Sequence, residues 1–465
     1  MKGRAVRLHR LCATAIAALG MALIPAGASA GGVTTITGTT TEASGLTSHY
    51  KIEVPDPWNG TLVLYSHGYS FSPIAATDVG DAATGAWLLG HGYALAGSSY
   101  ATSGWALQQA FEDQIAVLDA FDSRVGTPTR TIAWGHSLGG MITAGLVQLF
   151  PDRFTAALPM CGVVAGGPGV WNQGLDSEFA LATLQAPGAF KLVNFTSLGD
   201  ASANFSAASA ALATAQGTPQ GRARIALSAA LADVPGWFDP ARPEPAANDY
   251  AAREINQFNW DNNPDFLFGF FGRAELEARA GGNFSWNTSV DYRVQLSHSS
   301  DKAEVIALYA AAGLDLNKDL DSLNAAPRIA ANPSAVAYVA KYITYNGDLN
   351  LPVLTMHTTG DGLVEVTDEN AYASVVRSAG DNSMLRQVFV HRAGHCTFTP
   401  GETISAFQTL VHRIDTGRWE DSTNPAAMNA GAADLGSSFN IATPSFLNFQ
   451  PSMFLRPFDA RDLEG

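Results

Sequence analysis

The clearest pattern along this chain is a set of short runs that are apolar at nearly every position instead of at alternate ones. Residues 61–66, 92–99 and 131–134 are such runs. A strand covered on both faces needs apolar side chains pointing both ways, so these runs predict buried strands of a parallel sheet. Between them, 106–125 spaces Leu107, Ala110, Phe111, Ile115, Leu118 and Phe121 as one face of a helix, with Asp and Glu in the gaps. The Ala/Leu/Met-rich run from Met141 to Leu149 predicts a second helix, and 156–164 a further strand. Upstream, 50–54 alternates as an edge strand does, and the Thr- and Gly-rich stretch 31–45 predicts edge strand or loop. Strands alternating with helices predict an α/β fold, a mostly parallel sheet with helices on both faces.

That rhythm fails between 166 and 348, a stretch rich in Ala, Asn and aromatic residues. It predicts a large, mainly helical cap or lid insertion folded over the site. Most of its aromatics should form its own core, and a few within Phe258 to Trp286 should line an apolar substrate pocket. The sheet resumes at 351–357, followed by a helix over 370–378, a strand over 385–390 and a closing amphipathic helix over 402–414. The Pro- and Asn-rich tail after Glu420 carries Phe446, Phe449, Phe454 and Phe458, too many aromatics for a free end. It is expected to pack along the catalytic domain, which this division assigns to 31–165 together with 349–465.

The first thirty residues change the picture of where the protein works. Lys2, Arg4, Arg7 and Arg10 precede an apolar stretch over 11–24, and Ala28-Ser29-Ala30 has the small-x-small form of a cleavage site. This is the pattern of a secretory signal peptide cut near Ala30. Its removal takes four basic and no acidic residues, moving the formal charge from −15 to −19. So acidic a surface repels phosphate backbones and argues against nucleic acids and anionic membranes as partners. Hydrophobic content of 46% with 15% charged residues excludes a disordered chain. No later window is long and apolar enough to serve as an integral membrane anchor.

Candidate chemistry centres on Gly135-His136-Ser137-Leu138-Gly139-Gly140, where the strand at 131–134 meets the helix from Met141. A serine on so sharp a strand-to-helix turn needs glycines around it, because a Cβ at Gly135 or Gly139 would collide with neighbouring backbone. Ser137 is the candidate nucleophile. A hydroxyl becomes nucleophilic when a histidine takes its proton, and the histidine needs a carboxylate to fix its tautomer. Asp361, between glycines in Thr359-Gly360-Asp361-Gly362 after the strand at 351–357, is the candidate acid, with Asp176 the alternative. His395, in a loop after Gly394, is the candidate base, ahead of His391 at a strand end and His412 inside the last helix. An oxyanion hole would combine the N–H of Leu138 with that of Gly68 or Tyr69, in the loop after 61–66. Cys12 leaves with the signal peptide, so Cys161 and Cys396 remain, both beside these segments, and an oxidising compartment favours their being bonded.

His67-Gly68-Tyr69, Gly135 to Gly140, Gly360-Asp361 and Gly394-His395, in that order, resemble the α/β-hydrolase superfamily, particularly its secreted bacterial serine esterases and lipases. The resemblance spans 50–164 and 351–419 and leaves out the insertion and the tail. The Gly-His-Ser-x-Gly-Gly form is common in lipases, and His395 followed by Cys396 is similar to the feruloyl esterase and tannase group. That group has a cysteine before the nucleophile, where this chain has His136. The resemblance implies an α/β-hydrolase fold and a cofactor-independent carboxylic-ester hydrolase working through an acyl-enzyme on an apolar or aromatic ester. The alternatives are a serine peptidase of the same fold and a catalytically dead binding protein. Glu275 and Glu277, the nearest acids to serve a peptidase, sit among Arg273 and Arg279 in a pattern that reads as a solvated helix face. Asp315, Asn317, Asp319 and Asp321 alternate as calcium ligands do, but the sixth position lacks glycine and the twelfth glutamate, so they read as a solvated acidic helix start. No zinc, nucleotide or flavin motif is present in the sequence.

Overall fold

The computed structural model describes residues 32–459, so the signal-peptide pattern lies outside the described residues. Nine strands form one sheet: β1 (Val33–Thr41), β2 (Thr47–Pro55), β3 (Thr61–Ser66), β4 (Ala94–Ser98), β5 (Arg130–His136), β6 (Ala156–Met160), β7 (Val353–Gly360), β8 (Leu385–Ala393) and β9 (Phe446–Leu447). Their order is β1-β2-β4-β3-β5-β6-β7-β8-β9. β4, β3, β5, β6, β7 and β8 run parallel, flanked by antiparallel β1 and β2 at one edge and β9 at the other.

β3 explains why its sequence is unbroken apolar. Leu62 and Leu64 point into one buried cluster, and Val63 and Tyr65 into another across the sheet. On the first face pack α2 (Leu107–Arg124), α3 (Leu138–Leu149) and α13 (Asp368–Ala379). On the second pack α1 (Ala82–Gly90) and α14 (Pro400–Thr416). Helix α1 is not foreshadowed by the sequence pattern; it holds two glycines and is started by the Asp81 carboxylate, which accepts from Thr84 N at 2.8 Å. β6 stops at Met160, short of 164, because Cys161 turns the backbone to φ 42°.

Between the neighbouring strands β6 and β7 lie nine helices: α4 (Gly167–Gln185), α5 (Leu198–Gln216), α6 (Pro219–Ala230), α7 (Tyr250–Trp260), α8 (Arg273–Ala280), α9 (Tyr292–His298), α10 (Lys302–Ala312), α11 (Leu316–Ala325) and α12 (Pro333–Lys341). This segment has a core of its own, with Phe270 ringed by Phe190, Phe195, Phe205 and Phe266. Leu276, Phe284 and Val339 instead join the core of the first sheet face and fasten the segment there. Asp315 caps α11, but Asp319 departs from the expected solvated row: it is buried against Arg224 at 2.8 Å and the Tyr309 hydroxyl at 2.9 Å.

The tail carries α15 (Pro425–Asp434) and β9, buries Phe446 and Phe454, and then goes further than its sequence suggests. Arg456 donates to the Asp176 carboxylate on α4 and, at 2.8 Å, to Trp286 O, while Phe458 meets the edge of the Trp286 ring. The end of the chain thereby ties the β9 edge to the helical segment.

Candidate active site

Ser137 stands at the junction of β5 and α3 with φ 59° and ψ −126°, a left-handed φ that a non-glycine residue adopts only when its surroundings dictate it. The surroundings are close backbone. A Cβ on Gly135 would lie 2.5 Å from Gly139 O and Ser66 O, and one on Gly139 would lie 2.0 Å from Ser66 O. Ser137 thus sits at the amino end of α3, with Leu138 as the first helical residue.

The loop after β3 presses against the same point. A Cβ on Gly68 would come within 3.3 Å of Ser137 Cβ, a tight contact, so glycine lets this backbone lie close against the serine. Its shape is held by His67, whose ring stacks on Tyr100 at 3.9 Å with Nδ1 2.7 Å from Gly68 O. The Tyr100 hydroxyl donates back to His67 O at 3.2 Å. Tyr69 follows and lines a pocket together with Ser137 and Leu138.

Asp361 and His395 are brought together. His395 Nδ1 lies 2.7 Å from Asp361 Oδ2, and Asp361 Oδ1 accepts from the N–H groups of Leu363 and Val364, each at 3.1 Å. The carboxylate is 1% exposed and therefore fixed in direction. The flanking glycine at 362 earns its place by close approach: a Cβ there would meet the Trp260 ring at 2.5 Å. Among the described residues no hydrogen bond links Ser137 Oγ to His395. The other ring nitrogen, Nε2, lies 3.4 Å from Cys396 Sγ. Cys396 is bonded to Cys161, with the two Cα atoms 5.4 Å apart, so the histidine loop is tied to the end of β6.

The alternatives lie elsewhere. Asp176 is fully buried on α4 with Arg456, Tyr292 and Gln295 as partners. His391 is exposed beside Glu244, and His412 pairs with Glu420 on the surface.

Two histidines that the sequence reading did not single out matter here. His357 on β7 is fully buried with Nδ1 3.1 Å from Glu369 Oε1 and Nε2 2.9 Å from Val364 O. Burial alone would push it down, but the hydrogen bond and charge of Glu369, joined by the charge of Asp361, raise it to about 9. It is therefore a cation behind the candidate acid. His136, beside the serine, is pushed down to about 4 by burial and then by the charge of His395, so it stays neutral, with Nδ1 3.3 Å from the Tyr65 hydroxyl. The partner of His136 is distant in sequence, whereas those of His357 lie within the turn and helix that follow its own strand.

Glu275 and Glu277 correct the solvated-face reading. Glu277 is buried and accepts from Asn194 N and Phe195 N, each at 2.8 Å. Glu275 pairs with Arg279 and accepts from Trp105 N at 3.0 Å. Both anchor the helical segment, one of them directly to the loop beside the site.

The pocket holding Ser137 has about 870 Å³ of empty space, part of it open to solvent. Phe266 and Phe268 line it, with Trp105 and Trp171, as the aromatic count suggested. Phe258, Phe270, Phe271, Phe284 and Trp286 do not. Two single π-helical turns, Asp261–Asp265 and Phe268–Gly272, supply much of one wall. That wall is also acidic: Glu178, Asp261, Asp265 and Glu365 line it, with Arg273 as its one cation.

A sequence profile described as the prolyl oligopeptidase family matches residues 84–166, the stretch that contains Ser137. The chain is 30% identical over 412 residues to an o-phthalyl amidase of Xanthobacter agilis, covering 82% of this chain and 88% of that protein. Among solved structures, it is similar to feruloyl esterase B of Aspergillus oryzae, at 14% identity, TM-score 0.41, covering 82% of this chain and 80% of the other. A rice cell wall degrading esterase of Xanthomonas oryzae matches at 12% identity, TM-score 0.37, over 83% and 90%. With that length of shared sequence and this sheet, the chain belongs to the α/β-hydrolase superfamily, in the family of the Xanthobacter agilis o-phthalyl amidase.

Proposed function

We propose that this chain is a secreted serine hydrolase that cleaves carboxylic esters through an acyl-enzyme, with Ser137 as nucleophile, His395 as base and Asp361 as the acid that orients it. The observation that carries this reading is the pair formed by His395 Nδ1 and Asp361 Oδ2 at 2.7 Å, in a chain whose serine is held at a left-handed turn opening α3. Such a pair fixes the tautomer that leaves Nε2 free to take a proton. The Ser137 oxygen attacks the substrate carbonyl carbon while its proton passes to His395 Nε2. The departing alkoxide takes that proton, water then attacks the acyl-enzyme with His395 again as base, and the acid leaves with the serine restored. In unliganded sites the serine–histidine hydrogen bond is often long and tightens when substrate binds. The Leu138 N–H at the start of α3 and the Gly68 or Tyr69 N–H form the oxyanion hole in this reading, aimed at the charge that develops on the carbonyl oxygen. The helical segment 166–348 acts as the cap that walls the acyl pocket. Secretion rests on the signal-peptide pattern, and the Cys161–Cys396 bond accords with an oxidising compartment.

A second reading, an amidase, is favoured by the relative named an o-phthalyl amidase. Two measurements separate the possibilities. A fluorophosphonate probe labels the wild type and not Ser137→Ala; labelling that survives the substitution sinks the nucleophile assignment. Matched ester and anilide substrates sharing one benzoyl group then decide the reaction. Ester turnover well above anilide turnover is expected, and comparable rates make the enzyme an amidase.

A further inference from the structure

The acidic wall of the Ser137 pocket is the feature that the hydrolase reading does not use. Asp261 is 2% and Glu178 is 6% exposed, and both face the pocket. None of the protein's own groups hydrogen-bonds Asp261 Oδ2, Glu178 Oε2 or either carboxylate oxygen of Asp265. Glu365, 7% exposed, adds a fourth carboxyl. Arg273 stands 3.7 Å from Glu178, but its guanidinium is already engaged by Ser285 Oγ and the carbonyls of Gly269 and Trp171. One cation therefore faces four acids.

Unpartnered carboxyls in an apolar wall are costly, and a protein keeps them only where something compensates. Among the described residues no three His, Cys, Asp or Glu side chains converge in a way that could hold a metal ion. Trp171, Phe266 and Phe268 line the same pocket, with Tyr69 meeting the Phe268 ring edge-on at 5.1 Å. Carboxylates set among aromatic faces form a receptor for an organic cation, because ring quadrupoles and anionic oxygens both attract positive charge.

We propose that the acyl group taken by this enzyme carries an ammonium or amidinium at its far end, held by Asp261, Asp265 and Glu178 while its apolar body lies along Trp171, Phe266 and Phe268. The proposal rests on the serine hydrolase reading of the same pocket. It departs from the purely apolar substrate that the aromatic count suggested. It also has a pH signature. Burial, with mutual repulsion among the acids, raises Asp261 to about 8 and holds Asp265 and Glu365 well above the usual range. Burial raises Glu178 to about 7 against the pull of Arg273. Asp361, Asp368, Asp233 and Glu254 are the further acids that act on this group, and Arg273 the cation; His357 acts on its neighbour Asp368. At low pH the wall is protonated and indifferent to charge. As pH rises through about 7 to 8, Glu178 and then Asp261 become anionic and attract a cation.

The test compares three p-nitrophenyl esters of one shape: 4-(aminomethyl)benzoate, 4-ethylbenzoate and 4-carboxybenzoate. Wild-type kcat/KM should favour the aminomethyl over the ethyl ester at least about tenfold near pH 8, the preference shrinking toward pH 6 as the wall takes up protons. In Asp261→Asn, or in Asp265→Asn should the first fail to fold, the ratio of the two should fall several-fold. An aminomethyl ester no better than the ethyl ester at any pH, or a preference for the carboxy ester, overturns the proposal while leaving the hydrolase reading intact. If no ester is cleaved and the fluorophosphonate does not label Ser137, the hydrolase reading fails and takes this one with it.

Discussion

His357 Nε2 stands 3.6 Å from Asp361 Oδ2, placing a buried cation directly behind the carboxylate that holds His395. The pair gives Asp361 a partner on each side and makes His357 a positioning residue. His357→Gln should lower kcat on a benzoyl ester about tenfold with little change in KM, since the loss is in the alignment of His395 and not in substrate contact. Equal loss of kcat and gain in KM would point to a general loosening instead.

The same histidine sets a pH dependence of stability. Its folded pKa, about 9, lies above the ordinary 6.5, so its contribution is complete below about 6.5 and is lost as pH rises through about 9. Calorimetry across that window should show the melting temperature falling with pH in the wild type and a flatter profile in His357→Gln.

Two aspartates, both fully buried or nearly so, should respond oppositely to amidation. Asp361→Asn should cut kcat by about 100- to 10,000-fold while the fold survives, because an amide oxygen can still accept from Leu363 and Val364 but no longer balances the charge on His395. Asp176→Asn leaves Arg456 without its carboxylate and should cost about 3 kcal/mol of stability with kcat unchanged. Urea denaturation and steady-state kinetics on both variants check this.

How these residues were legible in the sequence follows from the range of their partners. β3, β5 and the serine turn could be read directly because strand burial on both faces and a glycine-flanked serine are local patterns. Asp361 and His395 could be read because each lies in a short glycine-bearing loop after a strand, in the expected order. The acidic wall could not. Asp261 and Asp265 lie in π-helical turns that no periodicity announces, and their isolation is a tertiary fact. Glu275 and Glu277 misled because an i,i+4 pairing with Arg279 looks the same on a solvated face as on one pressed against Trp105 and the Asn194–Phe195 backbone. Helix α1 escaped because its glycines blur any amphipathic stripe.

Two phenylalanines of the helical segment should separate pocket from core. Phe268→Ala, at the wall beside Tyr69, should raise KM for long or aryl acyl groups more than for acetyl esters. Phe270→Ala, 1% exposed inside its aromatic ring of neighbours, should cost about 3 to 5 kcal/mol of stability and leave the order of substrate preference alone. Equal KM changes across acyl lengths for Phe268→Ala would return that ring to a structural role.

Removing the Cys161–Cys396 bond should act on both counts at once. Closing a loop of 235 residues is worth about 5 kcal/mol in the chain-entropy model. The double serine variant should therefore melt lower and, with the loop bearing His395 untied, also turn over more slowly. A variant with wild-type kcat at low temperature would confine the bond to stability.

The hydrogen-bonded adjacency of β6 and β7 has an evolutionary reading. The chain leaves the sheet at Met160 and rejoins it at Val353 beside the strand it left, so 192 intervening residues begin and end at one seam. A lineage can trade that whole cassette for another without re-registering a single strand, provided the newcomer supplies apolar side chains where Leu276, Phe284 and Val339 now dock. Most of the acidic wall travels with the cassette, and the serine, histidine and Asp361 stay behind. If the proposed roles hold, substrate choice and bond-breaking chemistry can be inherited on separate lengths of gene.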